Sequence, residues 1–159
     1  MPTDEITTYG LVLEENLDQV TTLSIGHITF DDICFTYHGK QRLTTGNDGQ
    51  PAYGGSDLVC VRGEWAALDR VPMSDETRVA VTQARLYDQA ISHYPGFIAS
   101  RRNYDVGQGV DHYGSQRSAV FEASWRVGGA TGAIVNGTNG VRTRQISTSG
   151  QSFSRGRIW

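Results

Sequence analysis

From Ala123 to Trp159 the chain holds Arg126, Arg142, Arg144, Arg155 and Arg157 and not one Asp or Glu. The same stretch is rich in Gly, Ser and Thr and nearly empty of large aliphatic side chains. A segment of that kind buries too little apolar surface to fold alone, so the core must come from the residues before it. All seventeen acidic residues lie at or before Glu122, which gives residues 1–122 a formal −8 and the remainder +5. The reading is a β-rich globular body over residues 1–127 and a Gly/Ser/Arg-rich extended arm over 128–159.

A chain of 159 residues is the size of one domain. An apolar fraction of 38% with nineteen glycines favours a β- or loop-rich fold over a helix bundle. Lys40 is the sole lysine among fourteen basic residues. The planar guanidinium fork suits interface pairing, although codon usage in a GC-rich genome produces the same excess. The amino terminus lacks the basic and apolar regions of a signal peptide, and no apolar run approaches membrane-spanning length, so synthesis in a cytoplasm is expected.

In chain order, residues 1–9 read as a polar arm and Leu11–Val20 as a short helix with Leu13, Leu17 and Val20 on one side. Thr22–Phe30 and Ile33–His38 read as strands joined at Asp31-Asp32. Thr44–Asp57 is dense in turn formers and reads as a long surface loop. Leu58–Val61 and Trp65–Leu68, flanking Arg62-Gly63-Glu64, read as a hairpin. Ser74 as a cap, Asp75 and Glu76 in the first turn and Pro95-Gly96 at the end define a helix over Asp75–Tyr94, with Ala80, Ala84, Tyr87, Ile91 and Tyr94 as its apolar stripe. Phe97–Ser118 reads as a long functional or partner-facing loop, Ala119–Val127 as a strand, and Val141–Ser149 as a strand with almost no apolar face. The fold class is therefore α+β, mainly β: a small β-sandwich or barrel-like body, one covering helix and an extended carboxy-terminal arm.

Chemistry is sparse at this level. His27, Asp31, Asp32 and His38 lie on strands that divide them between two faces, and His93, Asp111 and His112 lie in or near loops. Asp111-His112 is the pair a small hydrolase would use. No nucleophile elbow, zinc-protease, P-loop or dinucleotide motif is present. Cys34 and Cys60 sit within apolar runs and read as buried free thiols, and the absence of CxxC or CxxH spacing argues against a structural zinc site. No catalytic residue, metal ligand or cofactor is expected, and the chain reads as a non-enzyme. Its acidic body makes nucleic acid an unfavoured partner.

An acid-free arm of alternating Arg and Thr/Ser can add a strand to a neighbour's sheet, its charge complementing the acidic body of the next copy. Arg142, Arg144, Arg155, Arg157 and Trp159 are the expected intersubunit contacts. The run Leu43–Pro51 followed by Asp57–Trp65 resembles the turn-rich, Gly-x-Trp texture of tailed-bacteriophage virion proteins of the decoration, neck and fibre-attachment type. That resemblance covers about a quarter of the chain and implies a virion component that binds copies of itself and other particle proteins. The alternative is a ligand- or glycan-binding module with Tyr53, Trp65, Tyr104 and Tyr113 as an aromatic loop site.

Overall fold

The computed structural model describes residues 3–126, with side chains from Glu5 onward, and the backbone of a strand at 153–157. The Val141–Ser149 strand and the proposed contacts Arg142, Arg144 and Trp159 lie outside the described residues. A short helix, α1 (Thr3–Tyr9), precedes β1 (Asp18–Phe30), β2 (Ile33–Thr45) and β3 (Pro51–Arg62). A single turn of helix, α2 (Trp65–Leu68), leads to α3 (Asp75–Ser92), then β4 (Arg101–Val110), β5 (Gln116–Ser124) and β6 (Phe153–Arg157). The strands form one sheet in the order β5-β4-β1-β2-β3-β6, and all their pairings are antiparallel.

The mainly β, α+β expectation with one covering helix holds. The described strands make a single six-stranded sheet rather than the two layers of a sandwich. The reason lies in α3, which takes the place of a second sheet. Leu23, Ile25, Val61, Tyr104 and Val106 point from the sheet toward Ala80, Val81 and Ala84 of the helix, and Trp65, Leu68 and Val71 fill the side. Two alanines at the centre of the helix face, both fully buried, let α3 sit close to the strands.

β1 and β2 join through two residues, with Phe30 opposite Ile33 and Asp31 in the left-handed region (φ 54), a conformation Asp tolerates. The loop expected over Thr44–Asp57 is instead the far end of the β2–β3 hairpin. Strand pairing continues from Lys40↔Asp57 to Thr45↔Pro51, with one register shift where Gly54 and Gly55 absorb an extra residue. Ladder hydrogen bonds outweighed local turn preference there. Trp65–Leu68 is helical rather than the second arm of a hairpin. Gly63 (φ 128) swings the chain off the sheet, and one helical turn lets Trp65 and Leu68 face the core together.

α3 starts where expected, with Ser74 Oγ accepting the Thr77 N–H at 3.3 Å. Its buried line is Thr77, Ala80, Val81, Ala84 and Asp88, so the expected stripe is rotated and Tyr87 and Tyr94 are largely exposed. The expected loop Phe97–Ser118 contains β4, an interior strand between β1 and β5. Its period-two signal rests on Tyr104 and Val106 alone, because the next position on that face is Gln108, while Gly107 on the other face makes room for the Phe121 ring from β5. The expected helix over Leu11–Val20 is also corrected: the helix lies earlier, at α1, and β-branched Val20, Thr21 and Thr22 belong to β1. Among the described residues no helix is long and apolar enough to cross a membrane.

Candidate functional site

Buried polar residues gather on both sides of the sheet. On the helix side the centre is Asp88, 4% exposed. It sits at the fourth turn of α3, where the stripe would otherwise continue with an apolar residue. Its carboxylate accepts from Tyr104 Oη at 2.7 Å, from Trp65 Nε1 at 3.2 Å and from Arg102 at 3.2 Å. Arg102 also donates to Ser92 Oγ and Ala99 O. Both indole and phenol hydrogens, the polar ends of two buried aromatics, are thus satisfied by one acid whose charge is balanced by one guanidinium. Burial and the Asp88 contact raise the Tyr104 hydroxyl well above its usual range, so it stays a donor.

Trp65 carries this order to a second cluster. Its ring stacks on His27, centroids 6.0 Å apart and planes 20° from parallel. His27 Nε2 lies 2.9 Å from Glu64 Oε2 and 2.9 Å from Cys34 Sγ. The three residues come from β1, from the start of β2 and from the turn after β3. Glu64 occupies the position before α2 without capping it, which leaves its carboxylate directed at His27. Gly63 O accepts from Thr36 Oγ1 at 3.2 Å and lies 3.3 Å from Cys34 Sγ, tying the turn to β2. Burial first, then the Glu64 charge, pushes the Cys34 thiol up to about 12. A thiol, an imidazole and a carboxylate are the components of a nucleophile–base–orienter chain, but such a chain needs the thiol and the carboxylate on opposite ring nitrogens. Here both face Nε2.

A family model described as "Protein of unknown function (DUF3182)" matches residues 1–145. The chain belongs to that family. No curated protein matches it, and no solved structure does.

On the opposite face of the sheet, Tyr37 Oη donates to Asn103 Oδ1 at 2.7 Å, and Asp105 accepts from Ser24 Oγ at 2.8 Å and Asn103 Nδ2 at 3.0 Å. Arg101 reaches Tyr37 Oη and the Arg126 carbonyl. This row crosses β2, β1 and β4, and with Leu58 and Cys60 it makes a second, smaller buried layer. Cys60 is a free buried thiol, as the sequence suggested, raised to about 12 by burial.

The residues singled out by sequence fall apart in the fold. Trp65 and Tyr104 are buried around Asp88, whereas Tyr113 is exposed at the β4–β5 turn and Tyr53 is half exposed on β3, its hydroxyl 3.0 Å from Ser56 Oγ. The four do not line one binding surface. Asp111 is a turn brace: its carboxylate accepts from the Ser115 and Tyr113 N–H groups and from Arg117. Those bonds, the Ser115 N–H foremost, hold it below the usual carboxylate range. His112 packs on Tyr113 and is exposed, so the pair has no acid–base geometry. Arg155 and Arg157 belong to β6, whose backbone pairs with Val59 and Asp57 of the same chain. Sequence reasoning missed Cys34 as a partner of His27, and missed Glu64, Asp88 and Arg102. Only Asp88 left a signal, a lone acid in line with Ala80 and Ala84.

His38 faces the helix side beside Ile25 and Val59, with Nε2 unpartnered among the described residues. Desolvation lowers its pKa from 6.5 to about 4. The unfolded chain takes up a proton below pH 6.5 that the folded chain refuses until about pH 4. Stability is therefore full above the unfolded value and falls as pH drops through that window, by at most about 3 kcal/mol. Urea unfolding between pH 4 and 7 should show this slope, and His38→Leu should flatten it.

Proposed function

We propose that this chain is a non-enzymatic assembly domain that joins copies of itself head to tail. The observation that carries the reading is a pair of exposed apolar groups at opposite ends of the molecule. The segment Leu11-Val12-Leu13 is almost wholly in solvent, with Leu13 92% exposed. Glu15, two residues on, lies 3.9 Å from Arg117, and Asp18 pairs with Val110, so this segment belongs to the end at which α3 begins. At the other end, Tyr87, Ile91 and Tyr94 of α3 and its exit border an open apolar groove of about 410 Å³. Ile98 follows, 94% exposed.

α3 has eighteen residues and is about 27 Å long, so the two groups cannot meet within one molecule. A strap of one copy entering the groove of the next makes a heterologous contact, which builds a ring or a filament. The basic arm enters the same proposal. β6 carries Arg155 and Arg157 along the outer edge of the sheet, an edge able to take a strand from a neighbour. A virion or similar particle is the setting that the sequence texture suggests for such a component.

Native mass measurement across a concentration series should give species heavier than the 17.4 kDa monomer. Leu13→Asp in the strap and Tyr94→Asp in the groove, each at an exposed position, should each abolish them. Mixing the two variants should restore a dimer and nothing larger, because one competent strap and one competent groove remain. A wild-type chain that stays monomeric throughout, or a mixture that forms no dimer, sinks the proposal.

A further inference from the structure

We propose that His27, Cys34 and Glu64 form a binding site for a divalent transition-metal ion of the zinc class, with one coordination position open to solvent. The ligand atoms, His27 Nε2, Cys34 Sγ and a Glu64 carboxylate oxygen, all lie within 4.8 Å of one another. The decisive feature is that thiol and carboxylate converge on one ring nitrogen. An imidazole nitrogen holds one hydrogen at most. If Nε2 carries it, it donates to Glu64, and the Cys34 thiol is left to the Gly63 carbonyl at 3.3 Å. If it does not, its lone pair accepts from Cys34 while facing the Glu64 carboxylate at 2.9 Å. A cation in the middle satisfies all three electron-pair donors at once.

The geometry allows it. Bond lengths of about 2.0 Å to nitrogen and about 2.3 Å to sulfur place tetrahedral ligands about 3.5 Å apart. The present 2.9 Å separations must therefore open by about half an ångström. Glu64, with its side chain 68% exposed, is free to open its own separation from His27, and the His27–Cys34 separation opens by a shift of the Cys34 side chain at the start of β2. His27 is held from behind by the stacked Trp65, whose indole is pinned by Asp88, so the nitrogen ligand is oriented before the ion arrives. Cys34 and Gly63 are joined by the Gly63 N–H to the Cys34 carbonyl at 2.8 Å, which fixes the turn presenting Glu64. The set of one thiolate, one imidazole and one carboxylate is borderline-soft, which selects zinc or cobalt over magnesium or calcium. Three protein ligands leave a fourth position, and the exposed Glu64 marks the side from which water reaches it.

The ligands are seven and thirty residues apart in sequence, on β1, on β2 and in the turn after β3. That is why no short-spacing motif announces them.

The test uses the full chain, freed of metal with a chelator and titrated with cobalt(II) and zinc(II). One cobalt equivalent should produce the visible bands of a tetrahedral ion and a thiolate-to-metal charge-transfer band, and zinc should displace it. Cys34→Ser should lose the charge-transfer band. Glu64→Gln, a change at an exposed position that leaves the fold intact, should weaken zinc at least about tenfold in a competition assay with a chromophoric chelator. Cys60→Ala should keep the band. A wild-type chain with no charge-transfer band, a band that survives Cys34→Ser, or a zinc affinity unchanged in Glu64→Gln overturns the assignment.

Discussion

Asp88→Ala will lower the unfolding free energy by about 3–5 kcal/mol, measured by urea denaturation. Asp88 is 4% exposed and accepts from three residues on two other elements: Trp65 of α2, and Arg102 and Tyr104 of β4. Removing the carboxylate strands a buried indole N–H, a buried phenol and a guanidinium that loses its counter-charge, and each pays its desolvation unrelieved. Asp88→Asn distinguishes charge from hydrogen bonding. The amide oxygen can still accept from Tyr104 or Trp65, so the neutral variant should lose less than Ala while freeing Arg102. Near-ultraviolet circular dichroism of Trp65 should change in Asp88→Ala, where the indole loses its anchor, and less in Asp88→Asn. A loss below about 1 kcal/mol in Asp88→Ala would show that the hub is ornamental to stability.

Gly39→Ala will destabilise the chain by about 3 kcal/mol or prevent its folding, the upper end of what overpacking costs. Gly39 lies in the middle of β2, between Ser24 of β1 and Leu58 of β3. A methyl group there would overlap the Asp57 carbonyl and come within 2.7 Å of a Leu58 methyl. The Asp57 obstacle is backbone, so no rotamer change relieves it, and β2 and β3 must part at the centre of the sheet. Gly49→Ala makes the comparison. Gly49 sits in the β2–β3 turn with open space around its Cβ position, and its only penalty is its positive φ of 77°. The ordering Gly39→Ala far below Gly49→Ala in thermal midpoint is the expected result, and equal midpoints would contradict the packing argument.

What the sequence disclosed follows from how local each signal was. α3 was legible because its cap, its acidic first turn and its Pro-Gly stop all lie within the helix or next to it. The β1–β2 hairpin was legible because Phe30 and Ile33 meet across two residues. β4 was hidden because its polar residues are explained only by distant partners: Asn103 by Tyr37, Asp105 by Ser24, Arg102 by Asp88. Trp65 was read as a strand residue because nothing nearby shows that Gly63 turns the chain away from the sheet. The His27–Cys34–Glu64 cluster was invisible for the same reason, since its convergence depends on the β1–β2 register and on that turn. The tyrosines grouped as a ligand surface shared only their residue type, and burial separates them.

The position of β1 bears on the order in which the molecule assembles. β1, β2 and β3 are neighbours in sequence, and their hairpins close short loops quickly. The other side of β1 waits for β4, and the Ser24–Asp105 contact across that seam joins residues 81 apart. A nascent chain therefore carries a three-stranded meander whose β1 edge stays open until β4 is made, whose β3 edge waits for β6, and whose apolar face is bare until α3 covers it. This seam should set the folding rate, and it is the surface that a holding chaperone would have to cover during synthesis.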